Sequence, residues 1–179
     1  MNICLVTAFP PSGRQLNEYG YHLARELRKN PLVNLTILAD RLTDYQWATD
    51  ENGQPLSADD HELNGFQVVR CWDTDKMASS LNIAKAVRRM KPDVVWFNLV
   101  YSTFATQAHP VAAFAGLCTP ALTRAMGYFT HVTLHHILEQ VNFADAGVKQ
   151  EQIFRLGSYF ATKALLRSNS VTVLLPGYR

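Results

Sequence analysis

The chain has 179 residues, with 17 Lys+Arg against 15 Asp+Glu, a net charge of +2 and 47% hydrophobic residues. A charged share of 18% with 11% aromatics excludes an intrinsically disordered chain. The length predicts one domain that buries roughly 70% of its unfolded surface without disulfide or metal staples, and so slight a positive charge gives no ground for nucleic-acid binding.

Cys4, Cys71 and Cys118 are odd in number and widely spaced, with no CxxC pair, which predicts buried free thiols in a reducing compartment. The opening MNICLVTAFPP has no basic segment ahead of a long apolar core, so no signal peptide is predicted. From Val94 to Thr123 there is no Asp, Glu, Lys or Arg, and Arg124 is the one such residue before Glu139. A membrane span needs about 20 continuous apolar residues. Asn98, Ser102, Thr103, Gln107, His109, Pro110 and Pro120 break this stretch repeatedly, which predicts the buried centre of a soluble cytoplasmic domain instead.

In chain order, Asn2–Ala8 is an apolar run too short for a helix, as expected of a central parallel strand buried on both faces. Pro10-Pro11-Ser12-Gly13 follows as a loop. A helix is predicted from Asn17-Glu18 to about Lys29, with Asn17 as N-cap and Tyr19, Leu23 and Leu27 as its apolar stripe. Val33–Ala39 reads as a second strand and completes a βαβ unit. Asp40–Leu63, with Asn52-Gly53, Pro55 and Asp59-Asp60, is too polar for a core and reads as a surface excursion.

Gly65–Cys71 is a third strand. Met77–Met90 is a basic amphipathic helix with Leu81, Ala84 and Val87 expected inward and Lys85, Arg88 and Arg89 outward. Val94–Leu99 is a fourth strand, Ser102–Gly116 and Thr119–Met126 are short helices, and Thr130–His135 is a fifth strand. Glu151–Ser168 reads as a helix with Ile153, Leu156, Phe160 and Ala164 on one side, and Ser170–Leu175 as a last strand before Pro176-Gly177. The alternation predicts an α/β domain: a doubly wound, mostly parallel sheet with helices on both faces.

In such sheets ligands bind beyond the carboxyl ends of the strands. The loop after the first strand enters a helix N-terminus, which suits a phosphate, or it is an ordinary connection. It carries neither GxGxxG nor GxxxxGK[ST]. Asn98, at a strand end, either holds a sugar hydroxyl or is a satisfied buried amide. Tyr101 either lines the cleft or packs. His131 and His135 would be neighbours on a helix, but on a strand they lie about 13 Å apart, which excludes chelation by the pair. No metal site is therefore expected from His131, His135 and His136. His135 remains a candidate cleft residue or a structural one. Lys76, Lys85, Arg88, Arg89 and Lys91 form a basic helix face, either solvated or drawn to an anionic membrane surface.

The segments NICLVTAFPPSG, NEYGYHLARELRK, VNLTILA, KPDVVWFN, THVTLHH and ALLRSNSVTVLLP, in that order, resemble the N-terminal domain of glycosyltransferase family 4 across essentially the whole chain. These are retaining GT-B enzymes with two Rossmann-like domains facing across a cleft. The resemblance implies sugar transfer from a nucleotide-diphosphate sugar to a sugar or glycolipid acceptor, with no metal or other cofactor. It assigns residues 1–179 to the acceptor side, with the nucleotide held by a C-terminal domain absent from this chain, so that the chain alone would be inactive. It places His135 near the reacting groups, Asn98 on the acceptor side, where Tyr101 beyond it is the further acceptor-binding candidate, and Ser12, Gly13 and their neighbours Arg14 and Asn17 in the donor-phosphate loop. The sequence departs from the family at Arg14-Gln15, where relatives carry a glycine pair; Arg14 could itself pair with phosphate. Expected partners are the acceptor, the missing domain, the inner face of the membrane through peripheral contact, and a second copy in a homodimer, with no nucleic acid. The alternative is a non-catalytic Rossmann-like module that binds a ligand or partner; a different nucleotide-cofactor enzyme is disfavoured by the missing glycine fingerprint.

Overall fold

A computed structural model describes residues 1–42, 65–106, 108–135 and 151–174. Its elements in chain order are β1 (Asn2–Val6), α1 (Asn17–Arg28), β2 (Asn34–Asp40), β3 (Gln67–Trp72), α2 (Ser79–Met90), β4 (Val94–Leu99), α3 (Pro110–Leu117), α4 (Thr119–Ala125), β5 (Phe129–Leu134), α5 (Glu151–Leu165) and β6 (Ser170–Val173). The six strands form one sheet in the order β3-β2-β1-β4-β5-β6, and every pairing is parallel. The doubly wound architecture predicted from the alternating pattern is therefore present, with its order reversing between β1 and β4.

Alternate residues of each central strand serve opposite layers. Ile3 and Leu5 pack with Ala24, Leu23 and Leu27 of α1. Cys4, Val6, Val95, Phe97 and Leu99 pack with Ile83 and Val87 of α2, Leu117 of α3 and Ala161 and Leu165 of α5. Both sides of β1 and β4 are thus covered, which is why their sequences are continuously apolar. The charge-free stretch is this sheet centre and the helices over it.

Several expectations need correction. Leu81 is 59% exposed, and the inward residues of α2 are Ile83, Ala84, Ala86 and Val87. On α5, Leu156 and Phe160 are exposed while Ala161 and Leu165 are buried. Each helix carries apolar residues on its outer as well as its inner face, so apolar spacing alone did not mark the inner one. The Ile153 side chain lies outside the described residues. Cys118 is exposed, at the junction of α3 and α4, whereas Cys4 and Cys71 are buried free thiols. Asp40 belongs to β2 and is buried; the rest of the polar excursion lies almost wholly outside the described residues, as do His136 and Pro176-Gly177. Among the described residues, no helix is long and apolar enough to cross a membrane.

Candidate functional site

Strand order reverses between β1 and β4, the point where open α/β sheets place a ligand crevice beyond the carboxyl ends of their strands, and the register decides what meets there. Val6 pairs with Phe97 and Leu99 with Leu134, so Thr7, Asn98 and His135 emerge side by side. The His135 amide continues the ladder by donating to Leu99 O at 3.1 Å. Thr7 and Asn98 are fully buried, and His135 is half-buried above them.

Their side chains form one directed chain of hydrogen bonds. Thr7 Oγ1 donates to Ala8 O at 3.0 Å. That hydroxyl must then accept from Asn98 Nδ2, 3.0 Å away. With its amide nitrogen so fixed, Asn98 turns Oδ1 toward His135 Nε2 at 2.7 Å, and Nε2 must carry the proton. In the neutral ring Nδ1 is then the acceptor nitrogen. Tyr19, from the first turn of α1, meets the imidazole edge-on with ring centroids 4.4 Å apart. Asn98 is the satisfied buried amide of the two readings open to it, and its contact is with His135.

Gly20 lets α1 come this close. A Cβ on Gly20 would lie 2.6 Å from Thr7 Oγ1 and 2.7 Å from Ala8 O. Only a residue without a side chain allows the helix to approach the end of β1 at this distance.

Beside the crevice, the loop between β1 and α1 is clasped from below. Asp40, at the end of β2, is 1% exposed. Its Oδ1 accepts from Phe9 N at 3.2 Å and its Oδ2 from Ser12 Oγ at 2.5 Å. Arg14 Nε lies 3.5 Å from Oδ2, and Arg70 Nη1 4.0 Å from Oδ1. Arg70 reaches from β3 to donate to Asp40 O at 2.8 Å and to Pro10 O at 2.6 Å. Burial pushes the Asp40 carboxyl above the ordinary aspartate range, against the lowering effects of Ser12, the Phe9 N–H and Arg70.

Of the four loop residues singled out from sequence, Ser12 is buried on Asp40, Gly13 is exposed, and Arg14 is partly exposed beside the same carboxylate. Asn17 is the first helical residue rather than the N-cap. That position is Leu16, left-handed at φ 72° with no side-chain cap. The Asn17 amide donates to Ser12 O, and its Oδ1 accepts from Glu18 N at 2.6 Å. Asn17 N donates to Arg14 O at 3.1 Å. Two of the N–H groups that a helix start offers an anion are thus already engaged. Tyr101 is buried, with its hydroxyl 2.6 Å from Thr162 Oγ1 of α5. It packs under α5.

His131 lies on β5, as the strand reading requires. Its Nδ1 is 2.6 Å from Ser170 Oγ, its ring stands edge-on to Trp96, and burial lowers its pKa from the ordinary histidine value. No cluster of three metal-ligating side chains occurs among the described residues. Sequence reasoning missed Thr7, Tyr19, Gly20, Asp40 and Arg70. Thr7, Asp40 and Arg70 were visible as polar interruptions of apolar strands, but their partners follow only from the crossover connections.

No protein-family model matches the chain, and no curated protein matches it. Among solved structures it is similar in fold to the Bordetella bronchiseptica enzyme WbmG, determined in complex with NAD and UDP. The TM-score is 0.51 at 12% identity, over 96% of this chain and 51% of WbmG. The chain thus spans about half the length of that enzyme. The likeness establishes a Rossmann-like α/β fold.

Proposed function

We propose that this chain is the acceptor-side half of a retaining glycosyltransferase that draws its sugar from a nucleotide-diphosphate sugar. The observation that carries the reading is the Thr7–Asn98–His135 chain across the switch point, in the crevice where open α/β sheets bind ligands. An imidazole fixed in orientation by Asn98 and Tyr19 at the strand ends is a polar group of the kind that a sugar-binding site uses. Arg14, partly exposed beside the crevice, is the cation of the β1 loop nearest a donor phosphate. A sugar or glycolipid acceptor sits against His135 and Tyr19, a second domain holds the nucleotide, and the reading assigns no metal or other cofactor. The UDP bound to WbmG is consistent with nucleotide-sugar chemistry on a fold of this kind.

The NAD in that same complex favours a second reading, a dinucleotide-binding domain. Dinucleotide folds use an acid at the end of the second strand to bind ribose. Here Asp40 fills that position, but its oxygens are engaged by Phe9 N, Ser12 and Arg14. The first reading is preferred for that reason.

Calorimetry and a labelled-sugar assay separate the two. The chain alone is expected to show no saturable NAD binding and no transfer. Expressed with any polypeptide that the reading frame encodes beyond Arg179, it is expected to transfer sugar with anomeric retention, and His135→Ala should lower turnover about a hundredfold or more. Saturable NAD binding by the chain alone would favour the dinucleotide reading, transfer by it alone would refute the half-enzyme, and unchanged turnover in His135→Ala would remove His135 from the site.

A further inference from the structure

The amino ends of the strands, at the opposite end of the sheet from the Asn98–His135 pair, hold a cavity of about 140 Å³. Strand register builds it. Asn2 pairs with Asn34, and Cys4 with Thr36, which in turn pairs with Gln67. Alternation along the strands turns these five side chains to one face of the sheet. It is the face on which Cys4 packs with Ile83 and Val87 of α2. Met90, in the last turn of that helix, and buried Pro92 complete the wall. The carboxamides of Asn2, Asn34 and Gln67 are exposed, and each is only partly engaged. Asn34 Nδ2 donates to Asn2 Oδ1 at 3.1 Å, and Gln67 Oε1 accepts from Thr36 Oγ1 at 3.0 Å. Among the described residues, Asn2 Nδ2, Asn34 Oδ1 and Gln67 Nε2 have no protein partner. No charged side chain lines the cavity, and Asp93 beside it is taken up by Asn2 N at 2.7 Å.

We infer that this cavity binds a single uncharged sugar ring, at a holding site separate from the one proposed for sugar transfer. A cavity of about 150 Å³ accommodates one six-membered ring. The uncharged lining gives an ionic ligand no counter-charge. The three open carboxamide groups stand on three neighbouring strands, each about 4.8 Å from the next. One edge of a planar amide or base is too short to meet groups so far apart. Hydroxyls set around a ring reach that spread, and each turns to donate or accept as the facing carboxamide requires. Met90 and Pro92 offer apolar surface for the C–H face of the ring.

The experiment is a 1H–15N NMR titration of the full chain with the methyl α-glycosides of glucose, galactose and mannose. At least one is expected to shift the Asn2, Cys4, Asn34, Thr36 and Gln67 signals saturably. Its affinity should be on the order of millimolar, which a ligand of about a dozen non-hydrogen atoms reaches. Those shifts should be the same in His135→Ala, which keeps this site distinct from the one proposed for transfer. Asn34→Ala and Gln67→Ala, both at exposed positions, should each weaken binding by about five- to tenfold, and the dispersion of their spectra checks that they remain folded. Glucuronate, of similar size but anionic, should bind about tenfold more weakly or less. No saturable shift with any of the three glycosides, shifts confined to residues around His135, or binding undiminished in both variants would overturn the assignment. So would saturable shifts from uracil with none from the glycosides, which would give the cavity to a planar amide.

Discussion

Replacing Gly20 with alanine sets two effects of known size against each other. In a helix, alanine is favoured over glycine by up to about 1 kcal/mol, and Gly20 lies within α1. Against this, the added methyl would sit 2.6 Å from Thr7 Oγ1 and 2.7 Å from Ala8 O. Ordinary contact requires about 3.4 Å or more, so the helix or the strand end must give by roughly 0.7 Å. Neither neighbour yields easily: Ala8 O is backbone at the end of a central strand, and Thr7 Oγ1 is held by Asn98 and by Ala8 O. Overpacking of this kind costs about 1–3 kcal/mol, so the clash exceeds the propensity gain and a net loss of about 1 kcal/mol is expected. For a domain of this size that lowers Tm by roughly 2–4 °C. The displacement also draws Tyr19 off His135, so the aromatic protons of both residues should shift in NMR spectra. A variant more stable than wild type, with the Tyr19–His135 signals unchanged, would refute the close-approach reasoning, because propensity alone would then govern the position.

The other expectations follow from the same contacts. Asn98→Ala should destabilise by about 1–3 kcal/mol by removing both bonds of a buried amide, and in 15N spectra His135 should lose its preference for the Nε2–H form; a retained preference would refute the directed chain. Asp40 titrates above its ordinary value of 3.8, so the folded state holds that proton more tightly than the unfolded one. Its stabilising contribution is complete below 3.8 and is lost as pH rises through the raised folded value. The stability of wild type minus that of Asp40→Asn, from urea melts, should accordingly fall with rising pH across that window, and a difference that rises would contradict it. Burial pushes the Cys4 and Cys71 thiols up to about 12 and about 11, so native alkylation should mark Cys118 alone, and labelling of Cys4 or Cys71 at a comparable rate would show the core to be open.

The strands were legible because β1 and β4 are apolar on both faces, a pattern that a sheet buried between helix layers imposes and few other structures allow. The inner faces of α2 and α5 were not. Ile83 and Ala161 turn inward while Leu81 and Phe160 do not, and one-dimensional spacing cannot separate a core stripe from an exposed one when both are apolar. The site divides along the same line. His135 and Asn98 could be singled out from sequence as polar residues at strand ends. What each faces depends on strand order, a property of the crossovers and not of any local window. Strand order puts β1 between β2 and β4, and from that one fact come both Thr7 under Asn98 and Asp40 under Ser12. A strand-end acid therefore tells little about a ligand until its neighbour is known: Asp40 occupies the place where dinucleotide folds grip a ribose, yet here its carboxylate fastens the loop that a ribose would have to displace.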